Sequence, residues 1–226
     1  MVWFGESMSK LTQWGVCAGS HDASIAVVKD DSIVFAAHAE RSSGIKNDSN
    51  LNLKIVEQAM EFGKPKEVIW YEDNLLKRTR QLWAGQYKTA IFKQAPSNIL
   101  LHCGFTDYAE DGVDVRLQHT SITKVKHHHA HAAAGYYTSP YTDAAILIVD
   151  SIGEWETLTI WSAEGTKMKR VYSQRYPHSL GIWYSAMTQR IGLKPNEDEY
   201  ILMGMAAVGD PETVSYTHLT LPTNCV

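Results

Sequence analysis

The sequence predicts an α/β protein made of two similar lobes with a cleft between them. Strand-type and helix-type hydrophobic patterns alternate along the chain, which is typical of this fold class. Two meanders of short strands begin near residues 11 and 144, and each has an acidic or glycine-rich corner. We place the first lobe at residues 1–126 and the start of the second at 127–212. Because clefts commonly bind small ligands, the boundary between the lobes is the expected place for a nucleotide or a metal ion.

The first lobe is predicted to open with three strands and to continue with alternating helices and strands. The predicted strands cover residues 11–16, 23–28, 33–37 and 67–71. Amphipathic helices are predicted at 53–62, where Gly63 ends the helix, and at 75–92, whose basic residues are typical of a solvated face. A short helix at 96–101 and an acidic loop at 104–120 complete this lobe.

The corner Gly19-Ser20-His21-Asp22 lies between the first two predicted strands. Small residues at such a corner let backbone amides approach a phosphate group. An ordinary hairpin turn explains the same residues, and this pattern alone favours the turn over a phosphate site.

The second lobe is predicted to begin with a histidine-rich helix, which Pro140 ends, and a strand at 121–126 leads into this helix. Residues 144–149 form a continuous apolar run of the type found in buried strands. Further strands are predicted at 157–161 and 167–172, followed by a helix at 180–191 and a glycine-containing segment at 197–209.

Four histidines lie within five positions at the start of the histidine-rich helix: His127, His128, His129 and His131. On a helix, the i, i+4 spacing of His127 and His131 places both imidazoles on one face, close enough to bind one metal ion. His128 and His129 point elsewhere. A solvated, histidine-rich helix start without a ligand is the alternative. Two histidines leave a metal short of its usual coordination, so other ligands must come from elsewhere.

Asp150 and Glu154 follow the apolar run at 144–149, on either side of Gly153. Ligand-binding residues of α/β proteins collect at the carboxyl ends of strands, which favours a functional role for this corner. Turn formation is the competing explanation, because Asp and Gly favour turns in any case.

The composition excludes several classes of protein. The 226 residues are 44% hydrophobic and 20% charged, which suits a folded domain with a core. A net charge of −4 argues against a nucleic-acid surface. No apolar run approaches the roughly 18 residues that a transmembrane helix needs, and the first residues lack a signal-peptide pattern. The three cysteines have no metal-type spacing. We therefore expect a cytoplasmic protein without nucleic-acid or membrane partners.

The last residues have an unusual origin. Residues 214–223 match, residue for residue, one reading frame through a transposon-end adapter used in sequencing libraries. We therefore expect residues 213–226 to be an adapter-derived tail and the natural protein to continue past Glu212. A natural tail is the alternative.

Several motifs occur in one order along residues 12–211, and together they resemble the O-carbamoyltransferases of nodulation-factor and antibiotic biosynthesis. The motifs are GSHDASIA from Gly19, Glu40-Arg41 with IKND from Ile45, HHxAHA from His127, DxxGEW from Asp150, PHSLG from Pro177 and EYxxMGxA from Glu199. Ser42, Gly44 and Ile201 depart from the family pattern, which usually has an aromatic residue, a basic residue and a lysine there.

The resemblance implies an actin-like ATPase (ASKHA) fold, as in the tRNA threonylcarbamoyl-adenosine enzymes, truncated here after the start of the second lobe. It implies that His127 and His131 bind Fe(II) or another divalent metal, with a later aspartate outside this sequence. Asp150, Gly153 and Glu154 would face the nucleotide or its metal. His128 would contact phosphate or substrate. His21 would act as general base on the acceptor hydroxyl or hold the carbamoyl group.

The implied reaction is ATP-dependent. A YrdC-like domain of the same protein, not encoded in this sequence, would combine ATP with carbamoyl phosphate to give carbamoyl-adenylate. The actin-like domain would then transfer the carbamoyl group to a hydroxyl of a small molecule. Two alternatives stay open: an enzyme of the same fold that acts on tRNA or in hydrogenase maturation, and a non-catalytic metal- or nucleotide-binding module. The acidic net charge counts against a tRNA substrate.

Overall fold

A computed structural model describes residues 12–19, 22–87 and 121–209. The first unit is built on a five-stranded sheet with the order β3-β2-β1-β4-β5. Strands β1, β2 and β3 form an antiparallel meander, whereas β4 and β5 run parallel to β1. The strands are β1 (Thr12–Cys17), β2 (Ser24–Lys29), β3 (Ser32–His38), β4 (Glu67–Trp70) and β5 (Ser121–Lys124).

In the described part of the first unit, three helices lie between these strands: α1 (Glu40–Ser43), α2 (Leu53–Glu61) and α3 (Asn74–Trp83). The side chain of Asn52 accepts a hydrogen bond from the Ile55 amide, and Asp73 accepts from the Leu75 amide, so α2 and α3 begin at capping residues. The core lies between the central strands and α2. It contains Trp14, Val16, Ile25, Val27, Ile55, Val56, Val68 and Trp70.

The second unit contains a three-stranded antiparallel sheet, β6-β7-β8. The histidine-rich helix α4 (His127–Tyr137) packs on β6 and β7 and buries Ala132 and Tyr136. The remaining elements are β6 (Asp143–Val149), β7 (Glu156–Glu164), β8 (Lys167–Arg175), α5 (Leu180–Arg190) and α6 (Glu199–Ala206).

The two units touch beside α3. The indole nitrogen of Trp155 donates a hydrogen bond to Thr79 at 3.3 Å, and the rings of Trp83 and Trp155 lie 5.9 Å apart. Among the described residues, none of the helices is long and apolar enough to cross a membrane.

The predicted α/β class is confirmed, with a three-stranded meander in each unit. Helix α3, which corresponds to the helix predicted at 75–92, is shorter than predicted. It ends at Trp83 because Gly85 adopts a left-handed conformation with a φ of 72°, and residues 88–92 lie outside the described part. The elements predicted at 96–101 and 104–120, the tail at 213–226, and His21 also lie outside it.

Two predictions about burial were wrong. Strand β6 was expected to be fully buried, but it is the edge strand of its sheet and alternates in exposure, with Leu147 61% exposed. The basic side chains of α3 were expected to be solvated, yet Arg80 is only 6% exposed. Burial lowers the pKa of its guanidinium, and the nearby Tyr176, Glu72 and Glu154 counteract this effect.

Candidate metal centre

In space, the first turn of helix α4 lies next to the C-terminal end of β6. Its first residue, His127, comes shortly after β5, and Asp150 directly follows β6. The hydroxyl of Tyr136, near the end of α4, lies 2.6 Å from the Thr142 carbonyl oxygen and 2.8 Å from that of Gly165. These contacts fix the helix against the sheet, so its histidines face the acidic corner.

Three potential ligand atoms converge at this junction. The Nε2 atoms of His127 and His131 are 3.0 Å apart, and Nε2 of His127 is 3.0 Å from Oδ2 of Asp150. All three atoms lie within 4.8 Å of one another. The i, i+4 prediction for the two histidines is therefore confirmed geometrically, since one helix face carries both rings.

The chemistry of this cluster fits a divalent cation. Asp150 Oδ2 is buried and lies 3.0 Å from Nε2 of His127. His127 and Asp150 would hold the cation together, since their facing ligand atoms are only 3.0 Å apart. Two imidazoles and one carboxylate with open positions are the donor set typical of non-haem Fe(II) sites.

The protonation states of the cluster also suit a metal. His131 is exposed as a residue, yet desolvation around its ring lowers its pKa, and His127 lowers it further. Desolvation by itself raises the pKa of the Asp150 carboxyl, but contact with His127 and the Ser151 amide outweighs it, so the net shift is downward. A neutral imidazole and an ionised carboxylate are the forms that bind metals.

The other two histidines of the run do not belong to this group of three ligand atoms. His128 is buried, and its Nδ1 lies 2.9 Å from Oγ1 of Thr159. Its Nε2 lies 3.9 Å from Asp150 Oδ2 and has no hydrogen-bond partner within residues 12–19, 22–87 and 121–209. Desolvation lowers the pKa of His128. His129 stacks on the ring of Trp161, with the centroids 5.1 Å apart.

Glu154 is fully buried behind the cluster and joins the two units. Its Oε1 accepts hydrogen bonds from the Asp73 amide at 2.8 Å and from the His127 amide at 2.9 Å. The carboxylate therefore lies at the N-terminus of α4, where a negative charge is favoured by the helix dipole. Among the residues that the structure describes, none forms a hydrogen bond with its Oε2. A contact between Glu154 and a nucleotide stays a prediction.

Gly153 lies against the histidines. A Cβ atom at this position would be 3.0 Å from Cδ2 of His128 and 3.2 Å from Cδ2 of His127. The amide of Gly153 donates to the Glu156 carbonyl at 2.9 Å, which holds the backbone in place. A side chain here would therefore push the imidazoles out of position.

We expect Gly153→Ala to weaken metal binding about tenfold or more, although residue 153 is not a ligand, because supports of ligand orientation have effects of this size. Gly135→Ala is the matched control, since a Cβ at Gly135 on α4 meets nothing within 4 Å. Metal titration of both variants measures the difference. Equal affinities would show that the histidines tolerate the added methyl group.

A second group of donor atoms lies at the corner of the first sheet. Carboxylate oxygens of Asp22 and Glu40 and a ring nitrogen of His38 lie within 4.8 Å of one another. Nearby, the ammonium group of Lys46 lies 3.8 Å from the ring centroid of Tyr200 on α6, so this corner contacts the second unit. His21 is adjacent to Asp22 in sequence, and its predicted role in catalysis stays a prediction because it lies outside the described residues.

Sequence reasoning missed two parts of this region. His38 was not singled out, and its only signal was its place between a strand and the Glu40-Arg41 motif. Thr159 was taken as one residue of an alternating strand, and nothing in the sequence pairs it with His128. Asp150 was expected to face a nucleotide or its metal, and the structure places it beside His127 and His131.

Comparisons with known proteins support the family resemblance that the sequence motifs indicate. The chain matches the family model described as Carbamoyltransferase N-terminus over residues 12–221. It is 31% identical over 217 residues to the uncharacterized protein sll1178 of Synechocystis, covering 88% of this chain and 35% of that protein. It is 25% identical over 200 residues to the nodulation protein NolNO of Sinorhizobium fredii, covering 84% and 28%. The chain thus spans about a third of the length of these relatives.

Among solved structures, the Aquifex aeolicus member of the Ppx/GppA family aligns with 89% of this chain and 64% of its own length. The sequence identity is 16% and the TM-score is 0.31, so the structural similarity is limited. The family match covers both sheets and the complete histidine and aspartate cluster. The chain therefore belongs to the family of carbamoyltransferase N-terminal domains.

Proposed function

We propose that this chain is the metal-binding part of an ATP-dependent O-carbamoyltransferase with an actin-like fold. The observation that carries the proposal is the convergence of His127, His131 and Asp150, which offers three potential ligand atoms for one divalent metal. Family membership supports a carbamoyl group as the transferred unit. Carbamoyl-adenylate, made from ATP and carbamoyl phosphate by a YrdC-like domain of the complete protein, is the proposed donor, and a small molecule with a hydroxyl group is the proposed acceptor.

The residues of this chain would hold Fe(II) or another divalent cation in a fixed geometry. When bound, the cation polarises a carbonyl or phosphate oxygen as a Lewis acid. The Ser151 amide donates to Oδ1 of Asp150 at 2.6 Å, which turns Oδ2 toward the histidines. Ser179 donates to the Ser151 carbonyl at 2.6 Å and thereby holds the corner against the start of α5.

The transfer itself is a substitution at the carbamoyl carbon. The acceptor oxygen forms a bond to this carbon, and the bond between the carbon and the phosphate oxygen breaks. AMP leaves with the electron pair, and the hydroxyl proton passes to a base. We propose His21 as this base, on the strength of the family resemblance. His128 would contact the phosphate or the substrate, as the next subsection develops.

The test uses the full-length protein loaded with Fe(II), ATP, carbamoyl phosphate labelled at its carbon and a panel of compounds with hydroxyl groups. We expect release of AMP and appearance of the label in an acceptor, and loss of both with Asp150→Asn. A protein that binds the metal but releases no AMP and transfers no label would instead be a non-catalytic module. Label found in tRNA would favour the tRNA-modifying alternative.

A further inference from the structure

We infer that Thr159 fixes the hydrogen of the His128 ring on Nε2, so that His128 donates a hydrogen bond to a phosphate oxygen of the ligand at the metal centre. The identity of this ligand rests on the proposed function. The position of the hydrogen does not, because it follows from hydrogen bonds within the chain.

Three buried side chains form a short chain of contacts under the metal centre. The indole Nε1 of Trp161 lies 2.9 Å from Oγ1 of Thr159, and the same oxygen lies 2.9 Å from Nδ1 of His128. The exposed fractions of the three residues are 8%, 0% and 2%, so water cannot readily replace any of these partners. Thr159 and Trp161 are two positions apart on β7 and therefore lie on the same face of the sheet.

The hydrogen bonds among these three side chains determine the tautomer of the His128 ring. An indole nitrogen can only donate, so Trp161 uses one lone pair of the Thr159 hydroxyl. Among the described residues, His128 Nδ1 is the one acceptor found for the hydroxyl hydrogen. Nδ1 must then accept, and the ring hydrogen must be on Nε2. The opposite tautomer would leave both the buried hydroxyl hydrogen and the Nε2 lone pair unpaired.

The surroundings of Nε2 independently favour the same tautomer. Nε2 lies 3.9 Å from Oδ2 of Asp150, so an N–H group there faces a carboxylate, whereas a lone pair would be repelled by it. Adding a second proton to the ring would place it on Nδ1 and leave the Nε2 hydrogen where it is. A distance of 3.9 Å is too long for a hydrogen bond. The N–H group at Nε2 is therefore a buried donor with no acceptor within the described part of the chain.

This donor is suited to an oxygen atom of a bound ligand. An unpaired buried donor destabilises the protein, and a ligand that supplies an acceptor relieves this effect. The donor lies beside the cluster of His127, His131 and Asp150, so a ligand bound there is the source that we infer for the oxygen. Phosphate oxygens are strong acceptors that also bind divalent cations, and they are present in both carbamoyl phosphate and an adenylate. Thr159 is thus a positioning residue that acts through His128.

The first experiment measures the tautomer directly. The ¹⁵N resonances of His128 are recorded in the metal-free full-length protein and assigned by their loss in His128→Asn. We expect the Nε2–H pattern in the wild type and in Thr159→Ser, which keeps the hydroxyl. Thr159→Val keeps the shape without the hydroxyl and should shift the ring toward Nδ1–H or a mixture. An Nδ1–H ring in the wild type would overturn the inference.

The second experiment measures ligand affinity by calorimetry in the zinc-loaded full-length protein, with inorganic phosphate and carbamoyl phosphate as probes. We expect about tenfold weaker binding in Thr159→Val, near wild-type binding in Thr159→Ser, and the same zinc stoichiometry in all three proteins. Equal affinity in Thr159→Val, or no binding of either probe by the wild type, would overturn the role in phosphate binding. Failure of carbamoyl transfer with both expected results intact would reject the proposed function alone.

Discussion

Replacing His131 with alanine in the full-length protein is expected to abolish stoichiometric metal binding and to reduce carbamoyl transfer at least 100-fold. The substitution leaves His127 and Asp150 as the ligands from this cluster. Substitutions that only disturb ligand orientation reduce affinity about 10- to 100-fold, and removal of a ligand should exceed this range. Metal content after dialysis and the rate of label transfer are the two measurements.

His129→Ala is the matched control for this experiment. His129 lies two residues away on the same helix, is exposed, and stacks on Trp161 rather than joining the cluster. It should retain one equivalent of metal and the wild-type transfer rate. If His131→Ala kept both properties as well, the cluster would not be the metal centre.

Glu154→Ala should have the largest effect on stability. It removes the acceptor of two backbone amides, those of Asp73 and His127, and each hydrogen bond to a charged group contributes about 1.5–3 kcal/mol. We expect a loss of about 3 kcal/mol or more in the local stability of the region that contains these amides. Hydrogen exchange of the two amides in the full-length protein reports this change directly.

Glu154→Gln separates the hydrogen bonds from the charge. Its amide oxygen can still accept from both backbone groups, so we expect it to lose only about 1 kcal/mol, from the weaker interaction with the helix N-terminus. Unchanged protection of both amides in Glu154→Ala would mean that the carboxylate does not hold the two units together.

The parts of the fold that the sequence predicts well depend on local periodicity. Alternating apolar residues give β1 and β2 because every second side chain must enter the core, where Trp14, Val16, Ile25 and Val27 are almost completely buried. The pairing of His127 with His131 was predictable for the same reason. A helix fixes which residues share a face, whatever surrounds it.

The parts that could not be predicted depend on contacts between distant segments. Asp150 joins the histidines only because α4 packs across β6, and neighbouring residues in the sequence do not reveal this packing. Arg80 is buried because the second unit lies next to α3. Periodicity describes one element at a time, and it therefore assigned Arg80 to a solvated surface.

The position of Glu154 has a consequence for how the two units can move. Its Oε1 atom accepts one hydrogen bond from an amide of each unit, at 2.8 and 2.9 Å. A rotation of one unit against the other would have to lengthen one of these bonds or carry the first residue of α4 along with the first unit. That residue is His127, so such a rotation would also change the spacing of the three potential ligand atoms. A single carboxylate would then connect the relative position of the units with the geometry of the cluster.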